Sequence, residues 1–243
     1  MIRTYATLAA LMLAVLGVQG ASAAERRYTL STFDKVRIEG DVAVEIVSGT
    51  APSALAIGDP RALDALTVRV QGGTLSIRRA RASQLTERRQ QSATPDALPL
   101  VRLSARAVQS LMLQGHGSVR IDRLTGAKPN ATLNGSGSID IGAVQADALA
   151  LNVSGSGSLK AAGMATSARA VMLGDGLIEA TGLSLASLDL FGEGPVRARM
   201  TVDGPARISV MGDAQIEIGG QSICTIRQSA ANAITCGSIE KPR

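Results

Sequence analysis

From residue 110 onward, apolar side chains occupy alternate positions in short runs, and glycine interrupts the alternation at regular intervals. The pairs Gly115/Gly117, Gly135/Gly137, Gly155/Gly157, Gly174/Gly176 and Gly192/Gly194, followed by Gly212 alone, have first members 20, 20, 19, 18 and 20 residues apart. A period of two marks a half-buried strand, and a period near twenty marks stacked repeats. Aligned on the first glycine, the position four before it reads Leu111, Ala131, Leu151, Ala170, Leu188, Ile208, and the position two before it reads Leu113, Leu133, Val153, Met172, Leu190, Val210. Four after it come Val119, Ile139, Leu159, Ile178, Val196, Ile216, and six after it Ile121, Ile141, Ala161, Ala180, Ala198, Ile218. Each unit therefore predicts two strands with apolar inward faces on either side of a glycine turn. A further column, Leu124, Val144, Met164, Leu183, predicts a third inward side.

Between the two inward positions after the turn stands a column of charges: Arg120, Asp140, Lys160, Glu179, Arg197, Glu217. If the strands stack in parallel and in register, each rung lies about 4.8 Å from the next and every neighbour has the opposite sign. Such pairs contribute only ~0.2–1 kcal/mol each, too little to drive folding. They specify register instead, because a slip of one coil places like charges together. The pattern predicts an all-β fold, a right-handed parallel β-solenoid (β-helix). An antiparallel β-sandwich, also built from short alternating strands, is the alternative, but it does not pair equivalent positions of successive units.

The flanking segments divide the chain further. Residues 1–23 read as a secretory signal, with Arg3 at its start, an apolar run over 8–18 and the small residues Ala21, Ser22 and Ala23 at a cleavage site. No cysteine stands there to take a lipid anchor, and no later run approaches the ~18 apolar residues of a spanning helix. Residues 24–243 are then a single solenoid domain. Within it, 31–78 form an N-terminal β cap, with strands at 36–38 and 42–46, a short helix at 60–66 and a hairpin over 67–77 turning on Gly72 and Gly73. A polar basic loop follows over 80–99, repeat coils over 100–222 and a C-terminal cap over 223–243, stapled by a disulfide between Cys224 and Cys236. The caps cover the open ends that repeat stacks otherwise expose.

Composition fits a narrow interior: 45% of residues are hydrophobic but only 2% aromatic, so the core is aliphatic. The formal charge is +5, or +4 once Arg3 leaves with the signal, and the excess lies around the polar loop, at Arg78, Arg79, Arg81, Arg88, Arg89, Arg102 and Arg106. With so few aromatics to stack on bases and an exported location, nucleic acid is excluded as a partner.

The residues Phe33-Asp34-Lys35-Val36-Arg37-Ile38-Glu39-Gly40, Gly73-Thr74-Leu75-Ser76-Ile77 and the repeated Leu133-Asn134-Gly135-Ser136-Gly137-Ser138-Ile139 and Val153-Ser154-Gly155-Ser156-Gly157-Ser158-Leu159 resemble the head GIN domain family, exported bacterial domains classed with autotransporter adhesins. The resemblance covers nearly the whole mature chain. It implies a solenoid-like β fold in the cell envelope or outside the cell, and the family carries no known catalytic residues to transfer. The later repeats depart from the family-like Gly-Ser-Gly, reading Gly174-Asp175-Gly176, Gly192-Glu193-Gly194 and Gly212-Asp213-Ala214.

Chemistry is sparse. His116 is the single histidine, which leaves little from which to build a nucleophile–base pair. No phosphate-cradling loop, zinc-protease helix or paired Cys-x-x-Cys is present, so neither cofactor nor resident metal is expected. The local signal that stands out is a change along the stack. Directly after the first glycine stand His116, Ser136 and Ser156, then Asp175, Glu193 and Asp213; directly before it stand Gln114, Asn134 and Ser154, then Leu173, Phe191 and Met211. Stacked, these would set three carboxylates beside an apolar stripe, a candidate contact for a hard cation or a basic ligand. The expected function is a non-catalytic binding or adhesion module, periplasmic or at the cell surface, whose partner is an envelope component, a polysaccharide or a protein. One alternative is a polysaccharide lyase or hydrolase built on Asp175, Glu193, Asp213 and Arg197; the other is a structural protein that self-associates through the apolar stripe.

Overall fold

The computed structural model describes residues 24–80, 98–228 and 233–240. The signal expected over 1–23 and all but the ends of the loop expected over 80–99 lie outside the described residues. The chain forms a β-solenoid of about 6 turns. Its strands are β1 (Ala24–Thr29), β2 (Lys35–Glu39), β3 (Ala43–Ser48), β4 (Ser53–Gly58), β5 (Leu66–Gln71), β6 (Thr74–Arg79), β7 (Leu100–Ala105), β8 (Ser110–Gly115), β9 (Ser118–Gly126), β10 (Asn130–Gly135), β11 (Ser138–Ser154), β12 (Ser158–Leu173), β13 (Leu177–Glu193), β14 (Val196–Val202), β15 (Pro205–Met211), β16 (Ala214–Gly219), β17 (Ile223–Gln228), β18 (Ala233–Thr235) and β19 (Ser238–Glu240), with one helix, α1 (Pro60–Asp64).

Two parallel faces result. The first runs β6, β2, β8, β10, the C-terminal parts of β11, β12 and β13, then β15, β17 and β19. The second runs β7, β3, β9, the N-terminal parts of β11, β12 and β13, then β14, β16 and β18. Among the described residues, antiparallel pairing is confined to the N-terminal end, where β5 lies on β6, β4 on β7 and β1 on β4. This topology is the parallel solenoid and not the sandwich.

Chain order and stacking order differ at that end. β2 and β3 form a coil inside the stack, flanked on one side by β6 and β7 and on the other by β8 and β9. The segment expected to be a cap therefore contributes one coil of its own before it leaves through β4, α1 and β5. Helix α1 starts where the sequence dictates: Asp59 accepts a hydrogen bond from the Arg61 amide at 2.8 Å, Pro60 fills the first turn, and Ala62 and Leu63 are buried.

The core is an aliphatic column between the faces, with Ile38, Leu113, Leu133, Ile121 and Ile139 among its fully buried members. The turns between the faces keep their backbone hydrogen bonds. Gly157 donates to Gly135 at 3.0 Å and Ser158 to Gly137 at 3.1 Å, so the ladder runs on through the corner. Such close stacking leaves no room for a side chain at the stacked glycines of the corner. A Cβ on Gly155, whose φ is +107°, would sit 2.5 Å from the Gly135 carbonyl oxygen.

One coil differs from the expected alignment. The turn glycines with positive φ are Gly115, Gly135, Gly155, Gly174, Gly194 and Gly212; Gly194, not Gly192, stacks on Gly174. Gly192 lies in β13 at the inward position, paired with Met172 below and Val210 above. The reason is an exchange of volume. In earlier coils a large inward residue before the turn reaches the second glycine of the next coil: a Cβ on Gly157 would meet Leu133 Cδ2 at 2.6 Å, and one on Gly176 would meet Val153 Cγ1 at 2.6 Å. Here glycine occupies the inward place, buried Val196 fills the space, and a Cβ on Gly192 would meet Val196 Cγ2 at 2.8 Å. The following coil accordingly carries Ala214, in register with Val196, where the earlier repeat turns have a second glycine.

The third inward column is corrected as well. The coil after Gly155 is one residue shorter, so Gly163, not Met164, pairs with Val144 and Leu183. Met164 faces outward, 63% exposed, next to Gln145 and Ser184. At the C-terminal end Cys224 and Cys236 form the expected disulfide, tying β17 to the residue preceding the β19 turn.

Candidate functional site

The central outward columns of the two faces have opposite chemistry. Along the second face, the central column in register reads Arg102, Glu45, Arg120, Asp140, Lys160, Glu179, Arg199 and Glu217, alternating in sign at every rung. Ion pairs form within it at 3.1 Å (Arg102–Glu45), 3.3 Å (Arg120–Asp140), 3.0 Å (Lys160–Glu179) and 3.6 Å (Arg199–Glu217). Arg197 is not a rung of this column: it pairs in register with Leu177 and Gln215, and its guanidinium holds Asp175 at 2.9 Å. The two-residue shift of the Gly194 turn puts Arg199 in its place. Arg199→Glu would set a like charge beside both Glu179 and Glu217. We expect it to lower stability by ~0.5–2 kcal/mol, with the loss shrinking as salt is added; a salt-independent loss in thermal melts would contradict the ladder.

Along the first face, the central outward column in register reads Met112, Thr132, Asn152, Val171, Phe191 and Ser209. None of the six is charged, and the run is bounded by Arg37 at one end and Arg227 at the other. Beside it on the three coils of β8, β10 and β11 stand Ser110, Asn130 and Ala150 on one flank and Gln114, Asn134 and Ser154 on the other. These nine positions form an uncharged block of amides, hydroxyls, one thioether and one methyl group, all half-buried. Two internal hydrogen bonds order it: Ser110 Oγ donates to Asn130 Oδ1 at 2.8 Å, and Asn152 Nδ2 donates to Thr132 Oγ1 at 3.4 Å. Beyond it the face turns apolar at Val171, Leu173 and Phe191, with Leu173 40% exposed.

Charge closes both ends of this surface. At the N-terminal end Glu39 lies 2.7 Å from both Arg78 and Arg37. The Arg78 guanidinium, seconded by Arg37 and opposed by partial desolvation, holds the Glu39 carboxyl below its usual range. At the other end Asp189 and Arg207 pair at 3.4 Å on the flank of Phe191.

The expected carboxylate cluster and apolar stripe are not assembled. Glu193 stands on the first face between Leu173 and Met211 in register, and Phe191 stands one column over, between Val171 and Ser209. Asp175 and Asp213 line a hollow of about 420 Å³ with Pro195 and Arg197, from which Glu193 is absent. Both columns break for the same reason, the turn at Gly194. Among the described residues no three His, Cys, Asp or Glu side chains lie close enough to hold a metal ion, so the cation patch is withdrawn. The grouping required for a lyase, Asp175, Glu193, Asp213 and Arg197, is likewise split between two faces.

A larger hollow, about 710 Å³, runs over five coils on the third side. It is lined by Thr125, Gln145, Met164 and Ser184 on one side and by Asp147 and Asp203 on the other. Among the described residues no helix is long and apolar enough to cross a membrane.

Sequence reasoning missed the uncharged column of the first face. Its signal is the residue three before each turn glycine, and counting from Gly192 rather than Gly194 puts Asp189 in the place of Phe191 and breaks the run.

Comparison with known proteins agrees with this architecture. A crystal structure described as a "putative adhesin" from Bacteroides fragilis superposes with a TM-score of 0.73 at 16% identity, covering 92% of this chain and 98% of that one. A "putative lipid binding protein" from Parabacteroides distasonis gives 0.61 at 17% identity over 91% and 97%, and a "putative adhesin" from Parabacteroides merdae gives 0.57 at 13% over 91% and 97%. At such identities the likeness is one of fold. No curated protein matches the chain in sequence. The family described as "Putative auto-transporter adhesin, head GIN domain" matches residues 32–222, which is most of the chain, and the protein belongs to that family.

Proposed function

We propose that the chain is a non-catalytic, adhesion-type binding module acting outside the cytoplasm, and that it grips an extended ligand along the first face of the solenoid. The observation that carries this reading is the uncharged central column, which persists over six coils while the opposite face is charged at every rung. A central column with no role in contact has no reason to exclude charge over six rungs, since charged side chains keep exposed sheet surfaces soluble and unpaired. Family membership supports an adhesive role, and the split of Asp175 and Arg197 from Glu193 removes the one grouping offered for catalysis.

The test is retention of the labelled protein on isolated cell envelopes. Asn152→Arg, in the middle of the uncharged block, is expected to weaken retention by about tenfold or more. Ser138→Arg, exposed to a similar degree on the second face, should leave it unchanged. Equal losses from both variants, or none from Asn152→Arg, would remove the first face from the proposal.

A further inference from the structure

We infer that the ligand of the first face is a neutral polysaccharide lying along the solenoid axis. This rests on the reading of that face as the binding surface and adds the class of molecule it takes. A neutral sugar chain presents two chemistries in alternation: hydroxyl groups that need both donors and acceptors, and C–H surfaces that need flat apolar partners. The face offers both in a straight line. Rungs about 4.8 Å apart set Met112 and Ser209, the ends of the column, about 24 Å from one another, which is room for several sugar rings in an extended strand.

The polar part is suited to hydroxyls. Each asparagine amide carries two donor hydrogens and an oxygen with two lone pairs, and the internal bonds of Asn130 and Asn152 use one of these four sites each. The same bonds hold the amides in place before any ligand arrives, which lowers the ordering cost of binding. The apolar part is suited to ring faces: Phe191, the aromatic of this column, is half-buried on the outward surface beside Val171, with exposed Leu173 on the neighbouring column. The π-face of an aromatic on an outward sheet surface is a flat apolar partner for C–H groups.

Other occupants fit less well. An anionic polymer or nucleic acid needs a row of cations, and this column has none between Arg37 and Arg227. A protein partner is usually anchored on tryptophan, tyrosine or arginine, none of which stands in the column. A lipid surface calls for a basic rim around a continuous apolar face, whereas the column flanking Val171 and Phe191 interrupts Arg169 and Arg207 with Asp189, and Glu193 stands on the opposite flank.

The experiment is affinity electrophoresis and calorimetric titration of the protein against soluble neutral glucans, mannans and xylans, with polygalacturonate as the anionic arm. Wild type is expected to bind at least one neutral polymer with an affinity that salt does not change. Phe191→Ala and Asn152→Ala should each weaken that binding by about fivefold to tenfold with melting temperatures close to wild type, and Ser138→Ala should not. Binding confined to polygalacturonate, or abolished by salt, overturns the inference. So does failure to bind any neutral polymer while Asn152→Arg still strips the protein from envelopes; that result would keep the face and discard the ligand class. A dimer in light scattering that Asn152→Arg dissolves would also overturn it, in favour of a second copy of the chain as occupant.

Discussion

Replacing Gly155 with alanine is expected to destabilise the protein by about 3 kcal/mol or more, a large effect for a single added carbon. Two costs combine. The backbone at φ +107° lies in a region that side chains rarely enter, worth on the order of 1–3 kcal/mol. The new Cβ would also sit 2.5 Å from the Gly135 oxygen and 3.1 Å from its carbonyl carbon. Those atoms belong to backbone that already accepts from Gly157, so they cannot swing aside as a flexible side chain would. Because each coil of a stack leans only on its neighbours, a fault here weakens the interface with the coil beneath. Urea unfolding of Gly155→Ala against Ser156→Ala, an exposed neighbour expected to lie within about 0.5 kcal/mol of wild type, provides the measurement. A Gly155→Ala protein as stable as the Ser156→Ala control would mean that the turns do not stack as described.

The second large effect concerns the volume exchange at the fifth repeat turn. Val196 is fully buried, and Val196→Gly should cost about 2–4 kcal/mol through the cavity it leaves and the added freedom of the unfolded chain. Gly192→Val forces a methyl-bearing side chain into space that Val196 Cγ2 already fills at 2.8 Å from the Cβ position, an overpacking cost of about 1–3 kcal/mol. Made together, the two changes restore the arrangement of the earlier coils, with a large residue before the turn and glycine after it. The double variant should therefore lose at least about 1 kcal/mol less than the sum of the single losses, a coupling a double-mutant cycle can resolve. Strict additivity would show that the two sites do not share one space.

This exchange also explains what the sequence did and did not reveal. Strand positions, glycine turns and the twenty-residue period are written in local patterns, and so is the disulfide, whose partners lie 12 residues apart near one end. The alignment fails in one coil because Gly192 and Gly194 look alike as letters, while only the packing of Val196 decides which of them turns the corner. The charge column survived that error by coincidence, since arginine stands at both 197 and 199. The acidic and apolar columns did not, and the uncharged column was hidden behind Asp189. Met164 was misplaced for a related reason: the deletion of one residue from its coil changes which side chain points inward, and an isolated Gly-Met pair does not announce it.

What no local pattern could reveal is the route of the chain through the N-terminal end, because β2 meets partners far along the sequence: Lys35 is in register with both Thr74 and Ser110. Parallel pairing across such distances leaves no turn signature between the partners. The extension of the charge column to Glu45 and Arg102 was missed for the same reason.

That route has a consequence for assembly. When the chain appears from its N-terminus, the β2–β3 coil follows β1 and waits with both lateral margins open, since the strands that will cover them are built later. A solenoid threaded from one tip offers newcomers a single growing margin. This one offers a seed that is extended on both sides, outward by β6 and β7 to complete the lid and inward by β8 and β9 to launch the remaining coils. Until both have docked, the seed's bare amide and carbonyl rows are the part of the molecule most open to a foreign strand.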